Sequence, residues 1–336
     1  MKYIGITTTV PVEILLAAGY TPLDLNNVFV TADDHERYIK IAEEDGFPQN
    51  YCSWIKGIYG VCIEKGIKEI LAVVGGDCSN SVVLAEVLEL KGIVVHPFAF
   101  PVVRNSEGIK KHLDELMEHF DVTLAEVERV REELSSLRNK IIHLDEITYK
   151  EGVVSGWNNH LYQVSMSDFN LDYKKYEKDV DLFISGIDHS EINNSTVRVG
   201  YIGVPPITGD IYDFIESNDA RLVYNEVQRE FAMPRHEKAS SIYEQYLDFT
   251  YPYDTFFRAQ EIVKQIEERK IDAIIHYTQA FCYRSAQHII LKSKLDIPVL
   301  HIEGDKSRNI DARTKLRIEA FIDMVKDKKL FKDNLR

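Results

Sequence analysis

Of the four cysteines in this chain, three stand where the chain turns rather than where it packs: Cys52, Cys78 and Cys282. Cys52 precedes a predicted helix, whose N-terminal field would favour its thiolate. Cys78 follows the apolar run Ile70-Leu71-Ala72-Val73-Val74 through the turn Gly75-Gly76-Asp77, and Cys282 follows Ile271-Asp272-Ala273-Ile274-Ile275. Such runs are the mark of strands buried on both faces of a parallel sheet, and the carboxyl ends of these strands form the crevice where ligands bind. Thiols from both halves of the chain could meet in one cleft there and act as soft metal ligands. Cys62, among Ile58, Val61 and Ile63, reads as core filler. Spacing alone leaves each of the other three open as a ligand, a reactive thiol or a small buried apolar residue. His276, Gln279, His288 and His301 gather near Cys282 and raise a zinc-binding regulatory protein as an alternative. No Cys-x-x-Cys or His-x-x-x-His pair supports zinc.

Several function classes are disfavoured. No Gly-x-Gly-x-x-Gly opens a helix after a strand, and no Gly-x-x-x-x-Gly-Lys-Ser/Thr occurs, so neither a standard dinucleotide site nor a Walker-type ATP site is encoded. Any ATP chemistry must come from another protein. The formal net charge is −14, from 54 acidic and 40 basic residues. That field repels phosphate backbones, so no nucleic-acid partner is expected. It also sits awkwardly with any phosphate-bearing substrate unless a local basic pocket exists. No apolar run approaches the roughly 20 residues needed to span a bilayer, and the start, Met1-Lys2-Tyr3-Ile4-Gly5, has no signal-peptide character. A cytoplasmic protein with no membrane partner is the expectation, and four scattered cysteines in a reducing compartment do not form a disulfide framework.

The elements that must position these residues follow an α/β rhythm. At roughly 150 residues per domain, 336 residues suggest two domains, and a 45% hydrophobic content can bury two cores. Strands are predicted at residues 3–6, 70–74 and 93–95, with helices over 12–18, 34–45, 55–65 and 81–90. Pro11 suits a first helical turn, and Gly19, Gly46 and Gly66 suit helix ends. The charged stretch 106–150 reads as two helices broken at Asp121-Val122-Thr123, with Thr123 and Glu126 forming a capping box. Residues 153–194 are ambiguous and hold the domain crossover. Thereafter strands at 197–202, 221–224, 271–275 and 298–302 alternate with helices at 210–217, through 268, and 313–328. The loop 203–209 lies between a strand and a helix N-terminus, either an ordinary turn or a place for an anion. The fold class is therefore α/β: two Rossmann-like lobes with parallel sheets and an interlobe cleft, residues 1–190 forming the first lobe with long helices and 191–336 the second.

A family resemblance adds to this reading. Pro11-Val12-Glu13-Ile14-Leu15-Leu16-Ala17-Ala18-Gly19-Tyr20-Thr21-Pro22, Cys52-Ser53-Trp54-Ile55-Lys56-Gly57 and Gly75-Gly76-Asp77-Cys78 resemble the cluster subunits of 2-hydroxyacyl-CoA dehydratases and benzoyl-CoA reductases. So do Phe281-Cys282, Ile297-Pro298-Val299-Leu300-His301-Ile302-Glu303 and Arg317-Ile318-Glu319-Ala320-Phe321, all in order along the chain. The 2-hydroxyglutaryl-CoA dehydratase D-component is the best description of the likeness.

The resemblance implies a [4Fe–4S] cluster between two lobes, held by Cys52, Cys78 and Cys282, with one iron left open. It implies an anaerobic lyase or reductase component acting on an acyl-CoA-like molecule. An activator ATPase with its own iron–sulfur cluster would inject a low-potential electron, and a homologous second subunit or a second copy would complete the assembly. Ser53, His276, Gln279 and Glu303 flank the ligand positions or strand ends and are the candidate catalytic pocket residues. A rival role is that of a non-catalytic electron-transfer subunit that only holds the cluster.

Overall fold

The computed structural model describes residues 2–333, and among these the strands form two four-stranded, all-parallel sheets. The first contains β1 (Lys2–Ile6), β2 (Tyr20–Asp24), β3 (Glu69–Gly75) and β4 (Val94–Ala99), in the order β2-β1-β3-β4. The second contains β5 (Val197–Gly203), β6 (Ala220–Asn225), β7 (Ala273–Gln279) and β8 (Val299–Gly304), in the order β6-β5-β7-β8. One topology is thus used twice, and the α/β class with two Rossmann-like lobes is what the structure has. The sheets fall on either side of residue 190, but the compact units interleave. One takes the chain up to Lys140 with Val164–Asp181 and Glu230–Asp254, and the other takes Ile141–Gln163, Leu182–Arg229 and the chain from Thr255 onward.

Apolar runs become central strands because both their faces are covered. In the second sheet Val199, Tyr201, Ala273, Ile275 and Tyr277 pack with Ile211, Ile215, Ile318 and Ile322 of helices Ile211–Glu216 and Ala312–Asp333. The alternate residues Ile202 and Ile274 pack on the other face with Ala259, Ile262 and Leu291 of helices Thr255–Glu268 and Gln287–Lys294. The sheet is therefore the middle of three layers. β2 is absent from the sequence reading, because Pro22 lies inside it. Its place at the sheet edge explains why the proline is tolerated, and Pro97 sits likewise in edge strand β4.

Most predicted helices form within a residue or two of expectation, among them Ser53–Glu64 and Asn80–Leu90. The stretch 106–150 is three helices rather than two: Ser106–His119, Leu124–Glu133 and Ser135–Lys150. The extra break falls at Leu134, with no Gly or Pro to signal it. The capping box of Thr123 and Glu126 is formed, each side chain bonding the other's backbone N–H. Residues 153–194 hold helices Gly156–Val164 and Tyr173–Ser185. No helix among the described residues is long and apolar enough to cross a membrane.

Candidate functional site

In each sheet the first strand lies inside, so the chain leaves it toward one edge and then toward the other. That reversal opens a crevice beyond the carboxyl ends of the first and third strands, here β1 with β3 and β5 with β7. Two of the three candidate thiols belong to the third strands.

Cys78 is delivered by the glycine turn after β3. Gly76 has φ +90°, and a Cβ there would lie 2.7 Å from Phe100 Cβ and 3.1 Å from the Pro252 carbonyl, so no larger residue fits. The Cys78 carbonyl accepts the Ser81 N–H at 3.1 Å and opens helix Asn80–Leu90, leaving the residue half-buried. Cys52 immediately precedes helix Ser53–Glu64, its carbonyl accepting the Lys56 N–H at 3.1 Å, and it is buried. The two cysteines share a neighbour in Tyr51. Burial pushes the Tyr51 phenol up, and Cys78 and then Cys52 push it further, so both sulfurs lie within electrostatic reach of one hydroxyl. Cys62, on the same helix, is 1% exposed, and burial pushes its thiol up to about 12. It is a core residue, as its apolar setting predicted.

Cys282 occupies the matching turn of the second sheet. Its N–H donates to the Gln279 carbonyl at 3.1 Å, and its carbonyl accepts the Ser285 N–H at 3.0 Å. Phe281 just before it is exposed and adopts φ +62°, an unusual conformation for an aromatic residue. Gln279, the last residue of β7, is 1% exposed, and neither its amide nitrogen nor its oxygen has a hydrogen-bond partner. A buried amide with both ends unpaired is costly. The Trp54 indole N–H, two residues after Cys52, is buried without an acceptor as well.

The remaining expected site residues are spread out. Ser53 is the buried first residue of its helix, and Glu303 is exposed on β8. His276 lies buried in β7 against His288 and His301, with ring centroids 5.4, 5.2 and 4.5 Å apart and planes within 25° of parallel. His276 Nδ1 meets His288 Nδ1 at 3.2 Å, and His301 Nε2 meets Thr278 Oγ1 at 2.8 Å. Burial, then Arg258 and the other two rings, push His276 down to about 2, so it is neutral. Among the described residues no three His, Cys, Asp or Glu side chains gather as a metal-holding group.

Sequence reasoning missed a buried ion pair at the carboxyl ends of β5 and β6. The Arg258 guanidinium grips the Glu226 carboxylate through two bonds of 2.5 and 2.7 Å, and Glu226 also accepts the Gly203 N–H at 2.9 Å. Gly203 has φ +101°, with its Cβ position 2.0 Å from the Tyr277 carbonyl, so this strand end is welded to its neighbour. Also unforeseen is the buried carboxyl pair at the end of β2. Asp168 accepts the Asp24 N–H at 2.9 Å, and burial, then the Asp24 charge, push Asp168 up to about 7. After it, Phe169, Asn170 and Leu171 follow with φ of +54°, +49° and +72°, three left-handed residues in a row. Nothing in the sequence signals either feature, because partners far apart in the chain create them.

Three cysteine thiolates are the donors that iron–sulfur clusters use. Cys52 and Cys78, which share the neighbour Tyr51 and lie by the unpaired Trp54 N–H, are donors of that type in the first unit, and Cys282 beside the unpaired Gln279 amide is one in the second. No curated protein matches the chain. A family model described as 2-hydroxyglutaryl-CoA dehydratase, D-component, matches residues 7–325, a span that includes all three thiols and Gln279. The chain belongs to the 2-hydroxyglutaryl-CoA dehydratase D-component family.

Proposed function

We propose that this chain is the cluster-bearing component of a 2-hydroxyacyl-CoA dehydratase, with Cys52, Cys78 and Cys282 as thiolate ligands of one [4Fe–4S] cluster. The observation that carries the reading is positional. Cys78 and Cys282 leave the third strands of two sheets of identical order, and Cys52 and Cys78 act on the same phenol. Such a cluster, when bound, would supply low-potential one-electron chemistry for removing the elements of water, a hydroxyl and a neighbouring proton, from a 2-hydroxyacyl-CoA-like substrate.

The chain's own residues have definable parts in this. The N-terminus of helix Ser53–Glu64 favours Cys52 as a thiolate. Three protein thiolates would hold such a cluster and would leave a fourth ligand position that the protein does not fill. The Gln279 amide, buried and unpaired, would orient a polar group of the ligand, and Ser53 would line the Cys52 side. His276 is held neutral and cannot donate the proton of an imidazolium at physiological pH, which leaves the exposed Glu303 as the carboxylate at the end of β8. The electron would come from an activator ATPase with its own iron–sulfur cluster, consistent with the lack of a Walker-type loop in this sequence. A homologous subunit or second copy would complete the enzyme.

The test is anaerobic reconstitution with iron and sulfide, followed by addition of a 2-hydroxyacyl-CoA. A visible chromophore whose spectrum changes on acyl-CoA addition is expected. Near-zero iron rejects the reading, and a chromophore indifferent to acyl-CoA makes the chain an electron carrier instead.

A further inference from the structure

At the opposite edge of the second sheet, where β5 and β6 begin, lies a cleft of about 230 Å³ that the proposed cluster chemistry does not use. Lys150, Arg198, Arg221 and residues 193–196 line it, with Glu151 as the single acidic lining residue. Arg198 and Arg221 are register partners on adjacent strands, so two cations stand side by side. Such like-charge neighbours destabilise a sheet unless something offsets them.

No carboxylate among the described residues forms a direct ion pair with either fork, although Asp272 acts on Arg198 and Glu216 on Arg221 from a distance. Arg198 donates from Nε to the Arg269 carbonyl at 2.8 Å and from Nη2 to the Tyr149 carbonyl at 2.7 Å. Arg221 donates to the Asn193 carbonyl at 3.3 Å and to the same Tyr149 carbonyl at 3.1 Å. Neutral carbonyls aim the two forks, and among the described residues neither guanidinium is in an ion pair. The nearby carboxylates are already engaged. Asp272 accepts the Arg198 backbone N–H at 2.9 Å and Lys329 Nζ at 2.6 Å, Glu151 meets His189 at 3.2 Å, and Glu216 accepts the Gly156 and Leu222 N–H groups. Burial, and then Arg221, push Arg198 down to about 10, with Asp272 acting against them, so the two guanidiniums stand close together with no carboxylate in direct contact. The backbone is shaped to admit the cation. Gly152 has φ +76°, and a Cβ there would lie 1.9 Å from Arg221 Nη1.

We infer that this cleft binds a phosphate dianion, gripped by the Arg198 and Arg221 guanidiniums and by Lys150 at its rim. Paired, planar forks match phosphate geometry better than any single charge does. The volume is below the roughly 300 Å³ at which pockets for drug-sized ligands begin, so it takes free phosphate or the terminal phosphate of a larger molecule whose remainder stays outside. In a chain of net charge −14, general attraction for anions is absent, and binding has to come from this local arrangement. The inference is independent of the cluster and holds for the chain without iron.

The test is titration calorimetry and thermal unfolding of the full chain with inorganic phosphate, with adenosine 3′,5′-bisphosphate, and with chloride at matched ionic strength. Phosphate should raise the melting temperature where chloride does not. Equal affinity for both phosphate probes identifies free phosphate as the ligand, and tighter bisphosphate binding identifies a nucleotide-borne phosphate. Arg221→Gln should weaken binding at least about tenfold, as loss of a charge-assisted hydrogen bond does. Arg221→Lys, which keeps the charge but not the fork, should fall in between. Lys150 is half-exposed and ion-pairs with Glu146 on the helix surface, so Lys150→Gln keeps the fold and should weaken binding by about threefold, the size of a partly screened charge. No binding of either phosphate probe, or binding unchanged in both Lys150→Gln and Arg221→Lys with circular dichroism intact, overturns the inference.

Discussion

Two buried imidazoles make the compact unit that holds the second sheet vulnerable to mild acid. His160 is pushed down to about 3 by burial, and His276 to about 2 by burial followed by Arg258 and the neighbouring histidines. Geometry agrees for His160, whose Nδ1 accepts the Gln228 Nε2 donor at 2.9 Å and so has no room for a proton. Both folded-state values lie below the unfolded value of about 6.5. Above that value both states are neutral and nothing is lost. As pH falls below it the unfolded chain takes up protons that the folded chain refuses, and stability drops. From pH 7 to pH 5 each imidazole forfeits about 2 kcal/mol, at about 1.36 kcal/mol per pH unit beyond the unfolded value, or about 4 kcal/mol together. Asp168 works in the opposite sense over the same window, because its raised value makes the folded chain the better proton acceptor below about 7. The difference between wild type and a His160→Asn, His276→Asn double variant removes that contribution. Trp157 stacks on His160 with ring centroids 5.3 Å apart, and the only other tryptophan is Trp54, so fluorescence in a Trp54→Phe background reports this unit. Urea unfolding at the two pH values should show wild type losing about 4 kcal/mol more than the double variant. A difference below about 1 kcal/mol would refute the reasoning.

Three further outcomes are expected. Glu226→Gln leaves the Arg258 charge buried with half a partner and should cost about 3–5 kcal/mol by urea unfolding, whereas a loss under about 1 kcal/mol would show the pair to be dispensable. Gly203→Ala places a methyl group against the Tyr277 carbonyl, a main-chain atom that cannot step aside, and should lower stability by about 2 kcal/mol or more in the same assay. Cys62 should resist iodoacetamide in the native chain and react only on unfolding, as read by mass spectrometry; rapid native labelling would contradict its buried, protonated state.

Legibility in the sequence followed the range of the interactions involved. β3 was readable because an unbroken apolar run is buried on both faces and β7 from its short apolar start Ala273-Ile274-Ile275, and the turns that carry Cys78 and Cys282 came with them. β2 was not, because Pro22 mimics a loop and only its place at a sheet edge makes it a strand. The Leu134 break has no local marker. The polar groups that matter most to the second sheet, Arg258 with Glu226 and Arg198 beside Arg221, are joined by strand register and helix packing over distances that no motif spans. The stack of His276, His288 and His301 shows the converse: its members were visible as a cluster, yet their parallel rings could be known only from the fold. The −14 net charge likewise concealed a basic cleft that tertiary structure assembles.

The central claim is that Cys52, Cys78 and Cys282 ligate a single cluster while Cys62 does not. Iron and acid-labile sulfide per chain, measured after anaerobic reconstitution of wild type and the four single Cys→Ser variants, tests it most directly. The account predicts about four iron atoms in wild type and Cys62→Ser, the content of one [4Fe–4S] cluster, and a marked loss in each of the other three. Full iron retained by Cys282→Ser, or equal loss in all four variants, would contradict it.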